Sequence, residues 1–146
     1  MLLGKLASEK HKEMFLNLEL WLVEADGHFD DMEKRLVDQH CAEMGISNNE
    51  YKKEKALDEI IKEINIDMSV EEKKIIFIEL LAVSYVDDEF SDEEKKFVKK
   101  IQEILQISDD DAEQAEEIVA NLIAYTKKLE AFVATYSKEL EEYIAQ

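Results

Sequence analysis

The chain has 146 residues, with 18 Lys and Arg against 36 Asp and Glu, and a net charge of −18. That charge repels nucleic acid and anionic membrane surfaces, and it suits metal cations or a basic protein surface. An apolar share of 46% excludes a disordered acidic chain, and the length fits one domain with a buried core.

There is no proline and there are only three glycines, so helix ends must be read from capping residues. Ser47 with Glu50, Ser69 with Glu72 and Ser91 with Glu94 place a glutamate three residues after a serine. Asp30 with Glu33 is the same device with aspartate. In each, the first side chain accepts an orphan N–H of the opening turn while the glutamate reaches back. Ser108, followed by Asp109, Asp110 and Asp111, is a further acidic helix start favoured by the helix dipole. Between the caps, apolar residues recur at helical spacing. Leu16, Leu20 and Val23 make one stripe, and Leu36, His40 and Met44 with Val37 and Cys41 make the next. Ile60, Ile61 and Ile64 follow, then Ile76, Leu80 and Val83, then Phe97, Ile101 and Ile104. The pattern predicts helices near 8–25, 31–44, 48–65, 70–86, 92–106 and 109–126. A last helical segment, 127–145, either continues the sixth or stands as a seventh.

That last segment has its own periodicity. From Ile118 through Leu122, Tyr125, Leu129, Phe132 and on to Tyr143, apolar residues step by threes and fours, close to a heptad seam. Docking on the domain explains the stripe; so does a homodimer or partner contact through residues 118–143.

Residues 25–47 align without a gap on residues 86–108, at an offset of 61, with eight of 23 columns identical. The pairs include Asp26/Asp87, Phe29/Phe90, Glu33/Glu94 and Val37/Val98. A duplicated segment is a structural unit used twice. The expected fold is therefore all-α: a single helical domain over 1–146, of six to seven helices, built from two pseudo-symmetric helix-turn-helix repeats. Repeat one spans about 12–47, repeat two about 73–108, and 109–145 forms the C-terminal helix or helices.

Both copies carry an acidic turn. Glu24, Asp26, Asp30, Asp31 and Glu33 fall within ten residues, with no Lys or Arg among them. Six of the eight residues from Asp87 to Glu94 are acidic. Carboxylates this close repel one another, a bound divalent cation relieves the repulsion, and Mg²⁺ and Ca²⁺ prefer such oxygens. The first candidate ligands are Asp26, Glu33, Asp87 and Glu94, supported by His28, Asp30, Asp31, Asp88 and Glu89. His28 adds a nitrogen suited to Zn²⁺, and its counterpart Glu89 does not, so two sites need not match. Capping alone also accounts for Asp30, Ser91, Glu33 and Glu94. A left-handed glycine after Asp26 is an ordinary helix-ending turn, with Phe29 and Phe90 as apolar plugs. Neither turn is an EF-hand, because counting from Asp26 or Asp87 puts Val37 or Val98 where the twelfth-position glutamate belongs.

A helix ending in Ala25-Asp26-Gly27, an aromatic residue, and a capped acidic helix start resemble the TerB tellurite-resistance family. The resemblance rests on ADGHFDDMEKRLVDQHCAEMGIS and VDDEFSDEEKKFVKKIQEILQIS and covers roughly residues 12–126. It implies an all-helical fold with two pseudo-symmetric halves. It also implies an acidic surface with a metal-binding role in tellurite and general stress response. A related region preceding the J-domain of some membrane-anchored co-chaperones suggests protein interaction. The family's acidic motif positions fall on Asp26 and Glu33, and on Asp87 and Glu94. Copy two departs from the pattern at Val86, Asp88 and Gln106, which puts equal use of the two turns in doubt.

Other chemistry is poorly supported. Cys41 lies on an apolar stripe beside His40, as an inert buried thiol would. His11 reads as a solvated helix residue. No glycine-rich phosphate loop or nucleophilic triad is present, and Ser69 lacks the Asp-Ser-Leu context of a carrier-protein attachment site. One cysteine rules out an intrachain disulfide, and the N-terminal apolar patch is broken by Lys5, so the expected location is cytoplasmic. The expectation is a non-enzymatic, acidic, TerB-like protein that binds a divalent metal at duplicated turns. The alternative is an interaction module using its acidic face for a basic protein, or its C-terminal helix for a partner or a second copy.

Overall fold

A computed structural model describes residues 2–25, 27–85 and 91–145, with the backbone alone at 136–138. Among the described residues six α-helices follow one another: α1 Glu9–Val23, α2 Asp31–Met44, α3 Leu57–Asp67, α4 Val70–Ser84, α5 Asp92–Ile104 and α6 Asp109–Ala145. Short 3-10 turns lie at Leu3–Lys5 and Asn49–Tyr51, and no strand occurs among the described residues.

α1 and α4 form the centre. Each is apolar nearly all round, which is how a helix enclosed by others reads. α1 buries Phe15, Leu18, Leu20 and Leu22, and α4 buries Ile76, Phe77, Leu80 and Leu81. The other helices are amphipathic and turn one stripe inward: Val37, Cys41 and Met44 from α2, Ile60 and Ile64 from α3, Val98 and Ile101 from α5. Only the first part of α6 joins this core, through Ala115 and Val119 against α4. Tyr85 Oη donates to Glu116 at 2.6 Å and fixes that docking.

The expected caps form at four helix starts. Asp30/Glu33, Ser69/Glu72 and Ser91/Glu94 are complete capping boxes, and Ser108 Oγ accepts the Asp111 N–H at 3.1 Å. Ser47/Glu50 does not cap a helix. α3 begins only at Leu57, not near 48. Asn49, Glu50 and Tyr51 instead hold positive φ of 51°, 56° and 61°. Competing local bonds explain this: Ser47 Oγ accepts the Asn49 N–H and Asn48 Oδ1 accepts the Glu50 N–H. Asp38 of α2 then anchors the turn, accepting from Asn48 and from the Tyr51 hydroxyl at 2.9 Å.

Helix ends match at the offset of 61 as well. Ile46 N–H donates to Cys41 O and Gly45 N–H to Ala42 O; Ile107 N–H donates to Gln102 O and Gln106 N–H to Glu103 O. Both sets are the paired bonds of a left-handed helix stop. Gly45 has φ +72° and Gln106 has φ +60°.

The C-terminal segment is a continuation of α6, not a seventh helix. At 37 residues, α6 is about 55 Å long. Every residue from 124 to 145 whose side chain is described is exposed. No helix among the described residues is long and apolar enough to cross a membrane.

Candidate functional site

The first acidic turn is built where α1 stops. Gly27 takes φ +80° and donates to Glu24 O at 3.0 Å, the turn expected from its position. Phe29 packs half-buried against the core and edge-on to Tyr51, ring centres 5.2 Å apart. It is the apolar plug the sequence suggested, and Phe90 lies outside the described residues. Asp30 Oδ1 accepts the Glu33 N–H at 2.8 Å, and Asp30 N–H returns to Glu33 Oε1 at 3.3 Å. Glu33 is buried, whereas His28, Asp30 and Asp31 are exposed. Glu24, the outer member of the cluster, meets Lys53 in an ion pair, and the same ammonium sits 4.1 Å from the centre of the Trp21 ring. A lysine from a distant loop thus relieves part of a repulsion that looked uncompensated in sequence.

The second turn is described from Ser91 onward. Ser91 Oγ accepts the Glu94 N–H at 3.1 Å, and the Ser91 N–H and Oγ–H both face Glu94 Oε1. Glu94 is buried like Glu33. Of the sequence-derived ligands, Asp26, Asp87, Asp88 and Glu89 lie outside the described residues. Glu33 and Glu94 stand at the third position of their helices, each holding its own cap. Among the described residues no group of three or more His, Cys, Asp or Glu side chains is arranged to hold a metal.

A different set of ionisable groups meets inside the core. His40 Nδ1 lies 2.8 Å from Glu19 Oε1, and His40 Nε2 lies 3.5 Å from Glu79 Oε2. Glu19, His40 and Glu79 come from α1, α2 and α4 and are all buried. Glu79 Oε1 also accepts the Leu2 N–H at 3.0 Å, which ties the N-terminal segment to the centre. Glu19 Oε2 is buried with no hydrogen-bond partner among the described residues. Burial pushes the Glu19 carboxyl up, against the opposing pull of His40. Burial pulls the His40 imidazole down, but the Glu19 hydrogen bond and the Glu19 and Glu79 charges outweigh it, and its pKa is raised. The arrangement is a carboxylate–imidazole–carboxylate bridge across three helices.

A second bridge corrects the expectation for His11. It is buried, not solvated, with Nδ1 2.7 Å from Glu72 Oε2. Glu72 also accepts the Ala7 N–H at 3.1 Å and caps α4. Burial would raise its carboxyl, but these hydrogen bonds hold it below the ordinary value. Cys41 is the inert thiol expected, with burial pushing it up to about 12. The sequence reading missed Glu19 and Glu79, although each is a lone carboxylate inside an apolar run, LNLELWL and IFIELLA.

The geometry defines an acidic all-α domain of two central helices, α1 and α4, wrapped by the other four. A family model described as tellurite resistance protein TerB matches residues 48–117. The matched region contains the second acidic turn and begins after the first. A crystal structure of a tellurite resistance protein from Nostoc punctiforme resembles this fold with a TM-score of 0.66 and 21% identity, over 87% of this chain and 82% of that one. No curated protein matches. The chain is similar to the TerB family over residues 48–117, a resemblance its sequence motifs implied, and the structural likeness shows the shared helical fold.

Proposed function

We propose that this chain is a non-enzymatic TerB-like protein that holds a divalent cation at two acidic turns, as part of a response to tellurite or related stress. The tellurite connection comes from the names of the matched family and of the Nostoc protein. One observation carries the metal reading. Two helix starts, 61 residues apart, each present a buried glutamate in a capping box behind a run of carboxylates. Together with the paired helix-stop bonds, this supports reading 12–47 and 73–108 as two copies of one unit. Asp26 and Glu33 would serve the first site, Asp87 and Glu94 the second. Each glutamate would hold its helix start and the ion together. His28, Asp30, Asp31, Asp88 and Glu89 would set the difference between the sites.

The test is an amide NMR titration of chelator-stripped protein with Mg²⁺, Ca²⁺, Mn²⁺ and Zn²⁺ separately. The expected result is saturable shifts, or Mn²⁺ broadening, confined to residues 24–33 and 87–94. The double variant Asp26→Asn with Asp87→Asn should weaken binding while keeping helix content. Unsaturable shifts spread over the whole acidic surface, or unchanged affinity in the double variant, overturn the assignment. The alternative reading, an interaction module, finds its support in α6.

A further inference from the structure

We propose that the projecting half of α6 pairs with the same segment of a second copy, antiparallel, with the two-fold axis near Ala134 and Thr135. The proposal stands apart from the metal reading and needs neither acidic turn. α6 leaves the core after Ile123 and continues for 22 more residues, to Ala145. At about 1.5 Å per residue that is roughly 33 Å of helix. A solvated extension of this length should be polar all round. This one presents an apolar face on either side of 136–138, with Phe132 71% and Tyr143 76% exposed. Tyr125, Leu129, Val133 and Leu140 lie on the same face.

Charge selects the occupant and its direction. Lys128 and Glu142 are 14 residues apart, so they share one flank of the seam. In an antiparallel pair with this axis, that flank meets itself. Lys128 of one copy then faces Glu142 of the other, twice by symmetry. Tyr125 comes opposite Tyr143, Leu129 opposite Leu140, and Val133 meets its own counterpart beside the axis. A parallel pair in register sets Lys128 beside Thr126 and Val133 instead, and stacks Glu139 on Glu139 within the seam. It also brings two acidic bodies together at one end, each chain carrying −18 in total. The antiparallel pair holds those bodies about 30 Å apart, several Debye lengths at physiological salt.

The area is sufficient for a dimer of modest affinity. Aromatic side chains bury up to ~150–250 Å² each. Covering most of this face removes about 600 Å² per copy, which reaches the ~1,200 Å² lower bound of specific interfaces. An interface at that lower bound is of the weak, reversible kind, and the experiment is scaled to a dissociation constant on the order of micromolar.

The experiment is sedimentation equilibrium of the full chain in chelator, from low micromolar to several hundred micromolar. The expected result is a mass rising from one chain to two. Val133→Glu should raise the dissociation constant about tenfold or more. Lys128→Glu and Glu142→Lys should each weaken the dimer, and the two together should restore it. Mixing a Tyr125→Cys protein with a Tyr143→Cys protein under oxidation should trap a mixed disulfide dimer. These sites are exposed and outside the packed body, so helix content should be unchanged. A one-chain mass throughout overturns the proposal and leaves the face to a different kind of partner. Cross-linking of Tyr125→Cys to itself, or no rescue by the charge swap, overturns the antiparallel register.

Discussion

His40 on α2 and Glu19 on α1 share a hydrogen bond of 2.8 Å although 21 positions separate them. Glu79 on α4 stands 3.5 Å from the other ring nitrogen of His40. Three helices therefore meet on one imidazole, and both carboxylates favour its protonated form. The bridge ties α1 and α2 to α4, so its protonation state bears on the packing of the core.

Stability should fall as pH rises through the neutral range. The His40 pKa is raised above 6.5 in the folded chain. A raised group stabilises fully below its unfolded value and loses that contribution as pH climbs through the folded value. Glu19, also raised, acts in the same direction. Glu72 is lowered from 4.5, so its contribution is present above that value and is lost as pH falls below it. Melting temperature should peak between these limits and decline toward pH 8 and above. Thermal melts across that range check the slope, and His40→Gln should flatten its alkaline side. A melting temperature that rises steadily from pH 6 to pH 9 contradicts the assignment.

Breaking the bridge should cost more than removing it. His40→Leu leaves two buried carboxylates facing an apolar side chain, and such a loss costs about 3–5 kcal/mol. Adding Glu19→Met removes the carboxylate that has no other hydrogen-bond partner among the described residues, and should recover a large part of that loss. Glu79 keeps its bond from the Leu2 N–H in both variants. Urea denaturation of the single and double variants measures the difference. Equal losses in the two would mean that His40 packs without pairing.

The capping boxes at the two acidic turns should contribute similar amounts. Asp30 and Ser91 each accept an N–H at the third helical position. Asp30→Ala and Ser91→Ala should each destabilise by about 1 kcal/mol, a shift of roughly 3 °C in melting temperature. Calorimetry decides this. A loss several times larger at one turn would show that its serine or aspartate does more than cap.

What could be read in advance follows the range of the interactions. The caps at Asp30, Ser69, Ser91 and Ser108 need only residues within one turn, and each forms as the sequence indicates. Ser47 with Glu50 has the same local pattern but fails, because Asp38 from α2 anchors a competing left-handed turn. The Glu19–His40–Glu79 bridge needs partners 21 and 39 positions from the histidine, beyond any local pattern. Its trace in the sequence is a charge where a core helix should have none. The lysine that pairs with Glu24 is likewise distant, at position 53. For the acidic turns the cap glutamates were legible and are placed, while Asp26 and 86–90 lie outside the described residues.

Gly45 and Gln106 offer a paired test of the two helix stops. Both residues donate the same helix-stop bond with positive φ, +72° at Gly45 and +60° at Gln106. A side chain in that conformation is strained by roughly 1–2 kcal/mol, and glycine avoids the strain. A Cβ at Gly45 would meet nothing within 4 Å, so its substitution tests the backbone alone. Gly45→Ala should destabilise by about 1 kcal/mol. Gln106→Gly should stabilise by about 0.5–1 kcal/mol, because released strain outweighs the added freedom of the unfolded chain. Melts of the two variants should therefore move in opposite directions. Loss of stability in Gln106→Gly would show that the glutamine side chain holds its turn by contacts stronger than the strain it bears.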